Sequence, residues 1–158
     1  MQFLKLLPVL LLFIFSCSAS SKSKTAVTEN IKAENRGITF IEENWDEALQ
    51  TARKQNKLVF LDIYASWCGP CKLLKQYTFT DTAIGKFFNN NFVNVSVDGE
   101  KGVGPQLAQQ FSIEGYPTLV VTDANGKPVL LTAGYMPATD LLRFANEALK
   151  RSGAQVKM

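Results

Sequence analysis

Histidine is absent from the 158 residues, and cysteine occurs three times. A structural zinc site needs about four ligands, usually cysteine or histidine. Two cysteines close together with no histidine and no second cysteine pair could hold zinc only with carboxylates or a second chain. Long apolar runs are also missing. The longest, Leu6 to Phe15, spans roughly ten residues and is interrupted by Pro8, whereas a spanning helix needs about twenty. There is no basic face for nucleic acid. The net charge of +3 comes from the two ends, and residues 31–149 carry −2. The glycine-containing loop 99–104 lacks the Gly-Lys-Ser/Thr of a phosphate-binding loop. No internal repeat is evident.

What is present is Trp67-Cys68-Gly69-Pro70-Cys71-Lys72. It falls where a strand-like run, Leu58 to Tyr64, gives way to a helix-like one. Two thiols at this spacing at a helix start can close a small disulfide ring and open it again. Unpaired backbone N–H groups and the positive end of the helix dipole favour Cys68 as a thiolate, so a partly exposed, attacking Cys68 is expected. The motif reads as redox chemistry, with half of a zinc site as the alternative. Gly69 permits close approach of a partner backbone. Pro70 suits the first helical turn, where its missing N–H costs little. Trp67 either covers the thiol pair or belongs to the core.

The third cysteine, Cys17, lies in an N-terminal segment with the form of a secretory signal: a short basic start, an apolar run and small residues after it. Ile14-Phe15-Ser16-Cys17 resembles a bacterial lipobox, which would make Cys17 a lipidated first residue and anchor an exported, periplasmic protein to a membrane. Ordinary cleavage near Ala19 or Ser20 is the alternative. Residues 18–36, rich in Ser, Lys, Thr, Glu and Asn, cannot bury enough apolar surface to offset their ordering entropy and read as a tether. Residues 152–158 read as a frayed tail.

Residues 37–151 suffice for one domain with a single core. Ile38 to Ile41 suits a strand. Asn44, with Glu47 three residues on, suits the cap of a helix through about Gln55. Leu58 to Tyr64 is apolar almost throughout, as in a strand covered on both faces. The motif opens a helix to about Gln76, and Asp81 or Thr82 begins another through Phe88. Phe92 to Val97 is a strand, Pro105 to Phe111 a short helix, and Thr118 to Thr122 a strand. Asn125-Gly126 signals a hairpin to Pro128–Thr132. Pro137 to Lys150 is the final helix, with Leu141, Leu142, Ala145, Ala148 and Leu149 facing inward. The order predicts an α/β domain with a mixed sheet between helices, parallel in part and ending in an antiparallel hairpin.

The motif in this element order resembles the thioredoxin fold. Asp62 lies six residues before Cys68, Gly115-Tyr116-Pro117-Thr118 lies where that family has its cis-proline, and Asp123 to Lys127 matches its hairpin turn. The stretches Tyr64 to Cys68 and Tyr77 to Asp81 are similar to the C-terminal periplasmic domain of DsbD-type thiol:disulfide interchange proteins and to exported single-domain relatives. The resemblance implies that Cys68 attacks, Cys71 resolves, and Asp62 accepts or relays the Cys71 proton through water. The alternatives are a solvated strand-edge position for Asp62, which its apolar neighbours disfavour, and a plain turn at Pro117, which is the commoner role of a lone proline before a strand. The resemblance also implies that Tyr116 and Pro117 offer an edge to a partner peptide, that no cofactor beyond the Cys68–Cys71 pair is needed, and that the partners are protein thiols and disulfides. A DsbD-type membrane protein would donate the electrons. Three positions depart from thioredoxin itself: Glu114 replaces a basic residue, Asn94 replaces the lysine that partners the buried acid, and Tyr116 replaces a smaller Ile. A reductase, an oxidase or isomerase, and a non-catalytic peptide-binding module all remain open.

Overall fold

The computed structural model of the protein describes residues 37–157. The signal-like segment, Cys17 and the tether 18–36 lie outside the described residues.

Among those residues, five strands form one sheet: β1 (Ile41–Glu42), β2 (Leu58–Tyr64), β3 (Phe92–Asp98), β4 (Thr118–Thr122) and β5 (Pro128–Ala133). Their spatial order is β1-β3-β2-β4-β5. β1, β3 and β2 run parallel, while β4 and β5 are antiparallel to their neighbours. The helices are α1 (Trp45–Gln55), α2 (Gly69–Leu73), α3 (Thr82–Asn91), α4 (Gly104–Gln110) and α5 (Ala138–Ser152), and α2 runs on into a π-helical turn, Leu74–Thr78. This is the mixed α/β sheet that the resemblance implies.

β2 is the strand on which the site is built. It is paired on both edges and buried along nearly its whole length. Alternation sends Leu58 and Phe60 to one face, where they join Leu74, Phe88, Leu119 and Leu141, and Val59, Leu61 and Ile63 to the other, where they meet Trp45, Val95 and Leu107. Helices therefore cover both faces of the sheet. Phe60 anchors the first core, with its ring centroid 4.7 Å from that of Phe88 and within 6.5 Å of those of Phe40, Phe79 and Phe92.

Several boundaries differ from expectation for local reasons. Only Ile41 and Glu42 pair as β1, because the N–H of Ile38 donates to Phe79 O and that of Thr39 to the Asn89 side chain. The polar positions of β3 are buried like the apolar ones, since both faces of that strand are covered. α3 continues to Asn91 and α5 to Ser152, and Phe144 is buried in α5 while Leu142 is only half-buried. Asn44 Oδ1 accepts the Glu47 N–H, but Glu47 answers to the Asn44 side-chain amide rather than to its backbone. The expected frayed tail is docked: the Asn91 side chain accepts from Lys157 N–H and donates to Lys157 O, at 2.6 and 2.8 Å.

Truncation at the aromatic centre checks this packing. Phe60→Ala should cost about 3–5 kcal/mol of stability, read from the urea midpoint at unchanged slope; a loss below about 1 kcal/mol would show that Phe60 is not the core's anchor.

Candidate active site

β2 ends at Tyr64, and the chain turns through Ala65-Ser66-Trp67 into α2. Cys68 is the residue preceding the helix: its N–H donates to Ala65 O, and its Sγ accepts the N–H of Cys71 at 3.1 Å. Gly69 and Pro70 occupy the first turn, where Pro70 gives up a hydrogen bond the helix would not make. The two cysteines are joined, with S–S 2.04 Å and Cα–Cα 5.3 Å.

The disulfide is more enclosed than expected. Cys68 and Cys71 are each only 2% exposed, because Ala65, Tyr64 and Tyr116 pack against the pair. The expectation of a partly exposed Cys68 is therefore corrected for this disulfide form. What lies open to solvent is the frame around it. Gly69 and Pro70 are exposed, with open space where a Gly69 side chain would lie. Trp67 is 67% exposed and so is not a core residue. Its indole N–H donates to the Glu100 carboxylate at 3.0 Å, and its ring meets Tyr116 edge-on at 6.1 Å.

Tyr116 comes from the far side of the site. The Tyr116–Pro117 peptide is cis, and Pro117 O accepts the N–H of Gly134. The Tyr116 ring lies against Gly99, where a β-carbon would fall 2.5 Å from it. A glycine at 99 is thus what lets so large a residue sit before Pro117. Glu114 is exposed.

Asp62 projects from the middle of β2 and is 1% exposed, which excludes a solvated strand-edge position. Its Oδ2 accepts from Ser96 Oγ at 3.0 Å across the β2–β3 pair, while Oδ1 has no hydrogen-bond partner among the described residues. Burial pushes its pKa up to about 6, against the opposing pull of the Ser96 hydroxyl and the Lys75 ammonium and with a smaller push from Glu42. Asn94 does not serve this carboxyl; its amide donates to Thr39 O and to Asn89 Oδ1. Nearby, Asp98 is held below the usual carboxylate range chiefly by Lys101, 2.7 Å away.

The fold thus gathers Trp67, Cys68, Gly69, Pro70, Cys71, Tyr116 and Pro117 around one disulfide, with Asp62 buried on the strand that leads into it. Ser96, Lys75 and Glu100 were not anticipated. Ser96 could have been found from the polar stripe Asn94, Ser96, Asp98 on one face of β3 beside Asp62. Lys75 could have been found from its place one turn beyond Cys71. Glu100 sits in a loop with no periodic signal. Among the described residues no three of His, Cys, Asp and Glu gather as metal ligands, and no helix is long and apolar enough to cross a membrane.

Comparison with known proteins places this geometry. Residues 45–149 match the thioredoxin-like domain family. The thiol:disulfide interchange protein DsbD of Tatumella citrea is 34% identical over 96 residues, 59% of this chain and 17% of that protein. DsbD of Campylobacter jejuni is 34% identical over 101 residues, 63% of this chain and 18% of its own length. The chain therefore spans less than a fifth of these relatives. Among solved structures, a candidate disulphide-isomerase from Bacteroides thetaiotaomicron is 36% identical with a TM-score of 0.66, covering 73% of this chain and 95% of its own. A thioredoxin from Thermus thermophilus, 20% identical, shares the fold with a TM-score of 0.65, over 73% of this chain and 92% of its own.

The Asp62 environment has a thermodynamic signature. The folded protein keeps the Asp62 proton up to about pH 6, whereas the ordinary carboxylate value is 3.8. The folded state therefore binds more protons than the unfolded chain between those values, and stability falls as pH rises through them. Relative to the unaltered protein, Asp62→Asn should gain on the order of 2–3 kcal/mol between pH 4 and pH 8. Urea unfolding at both values measures this; parallel pH profiles would contradict the buried, proton-holding carboxyl.

Proposed function

Because the chain belongs to the thioredoxin-like family, we propose that it is an exported thiol:disulfide oxidoreductase that reduces protein disulfides through Cys68 and Cys71. The observation that carries the reading is the Cys68–Cys71 ring at the start of α2, with the Cys71 N–H on Cys68 Sγ and a buried carboxyl on the adjoining strand.

In the reduced protein the same N–H stabilises a Cys68 thiolate. That thiolate attacks one sulfur of a partner disulfide; the other partner sulfur leaves as a thiolate and a mixed disulfide forms. Cys71 passes its proton, through water, to the ionised Asp62 carboxylate and attacks Cys68 Sγ. This closes the Cys68–Cys71 disulfide and releases the second partner thiol. Two electrons pass to the partner, whose two thiolates are balanced by the proton taken up at Asp62 and one from solvent, and the chain is left oxidised. Trp67, Gly69 and Pro70 on one side and Tyr116 and Pro117 on the other frame the path by which the partner reaches the enclosed sulfurs. A second dithiol must then return two electrons. A DsbD-type membrane protein is the proposed donor, supported by the likeness of this chain to part of such proteins. Gly-Pro between the cysteines, the pattern of reducing thioredoxins, supports the reducing direction. Export and lipidation at Cys17 rest on the N-terminal sequence alone. Isomerase activity is the second reading, favoured by the 36% identity to the Bacteroides protein.

Substrate trapping tests the proposal. Cys71→Ser should accumulate mixed disulfides with specific exported proteins through Cys68, and Cys68→Ser should abolish both trapping and disulfide reduction. A Cys68→Ser protein that keeps full biological activity would replace the redox reading with that of a peptide-binding module.

A further inference from the structure

Asp62 is sealed from solvent on its own strand, yet it stands one hydrogen bond from an opening in the surface. Ser96, whose hydroxyl holds Asp62 Oδ2, also lines a cavity of about 190 Å³ between the α2–π segment and β1. Phe40 and Phe79 form apolar wall, and two charged side chains, Lys75 and Glu42, complete it. Lys75 is held in place: its Nζ lies 3.3 Å from the centroid of the Tyr64 ring. Such a contact fixes a long, otherwise mobile ammonium. The Tyr64 hydroxyl is itself tied down, donating to Glu43 Oε1 at 3.0 Å.

We propose that Lys75 is a positioning residue of the redox site, its ammonium held by Tyr64 at the wall of this cavity so that it governs how readily the Asp62 carboxyl carries charge. The role rests on the reading of Asp62 as the proton acceptor for Cys71. The charge balance around Asp62 makes the assignment specific. From the helical side it faces Lys75, from β1 Glu42, from β3 the neutral Ser96, and from β4 the apolar Leu119 opposite it in register. Lys75 and Glu42 thus act in opposition, and Lys75 is the stronger of the two. Among the described residues, Lys75 is the one cation that favours the charged form of this carboxyl, whose Oδ1 accepts no hydrogen bond from them. Lys75 lies within the π-helical turn Leu74–Thr78 and lines this cavity.

The test reads Asp62 directly. In the oxidised protein, the infrared carbonyl stretch of its protonated carboxyl, assigned by its loss in Asp62→Asn, is followed against pH. The unaltered protein should titrate near pH 6. Lys75→Met should move the midpoint up, Lys75→Arg should restore it, and Glu42→Gln should move it down. A Lys75→Met midpoint equal to that of the unaltered protein, or one that Lys75→Arg leaves as displaced as Met does, would overturn the proposal. Because no turnover is involved, these results stand apart from the redox reading. If the carboxyl midpoint moves but the pH dependence of mixed-disulfide resolution by Cys71 does not, Lys75 keeps its role and the assignment of Asp62 as proton acceptor is what fails.

Discussion

A strand paired on both edges and covered on both faces strips water from whatever side chain it carries, and β2 carries a carboxylic acid. Everything else near the site follows from that constraint. Leu58 and Phe60 supply the apolar contacts that hold β2 in place, and the same enclosure makes charge on Asp62 expensive. One oxygen is satisfied by Ser96 and the other by nothing among the described residues. The fold thereby maintains a group that prefers to be neutral and can change its charge near neutral pH, on the strand that leads into the disulfide.

The second half of the site has to be brought to it from far along the chain. Tyr116 and Pro117 come from the segment before β4, Glu100 from the loop after β3, and the cysteines from the start of α2. Small residues make the convergence possible. Gly99 makes room for the Tyr116 ring, and Gly104 lets α4 begin against Asp98 O, where a β-carbon would lie 1.9 Å away. The result is a disulfide walled by aromatic side chains, with one rim, Trp67 to Pro70, left open. On the proposed function, the sulfurs are consequently reached from that rim rather than through simple exposure.

Much of this was legible in the sequence because its signals are local. The motif, the burial of Leu58 to Tyr64, the Asp81 cap region and the Asn125-Gly126 hairpin each depend on a few adjacent residues. What escaped depends on partners distant in sequence. Ile38 and Thr39 look like strand residues until Phe79 and Asn89 take their N–H groups. The last residues look frayed until Asn91 is seen to clasp Lys157. Cys68 looks accessible at a helix start until Tyr64 and Tyr116 close over it. Lys75 and Ser96 look like ordinary surface and strand residues until the register places one beside Asp62 and the π-helical turn brings the other to the cavity. The N-terminal reading, with Cys17 at its centre, concerns residues outside those described.

The proposed role fixes a direction, with electrons leaving the Cys68–Cys71 pair for partner disulfides. The equilibrium between its dithiol and disulfide forms in defined thiol–disulfide redox buffers gives the reduction potential directly, and this is the most direct test. A reductant should lie near the roughly −270 mV of thioredoxin, whereas a value near the roughly −120 mV of the strong oxidant DsbA would contradict the account.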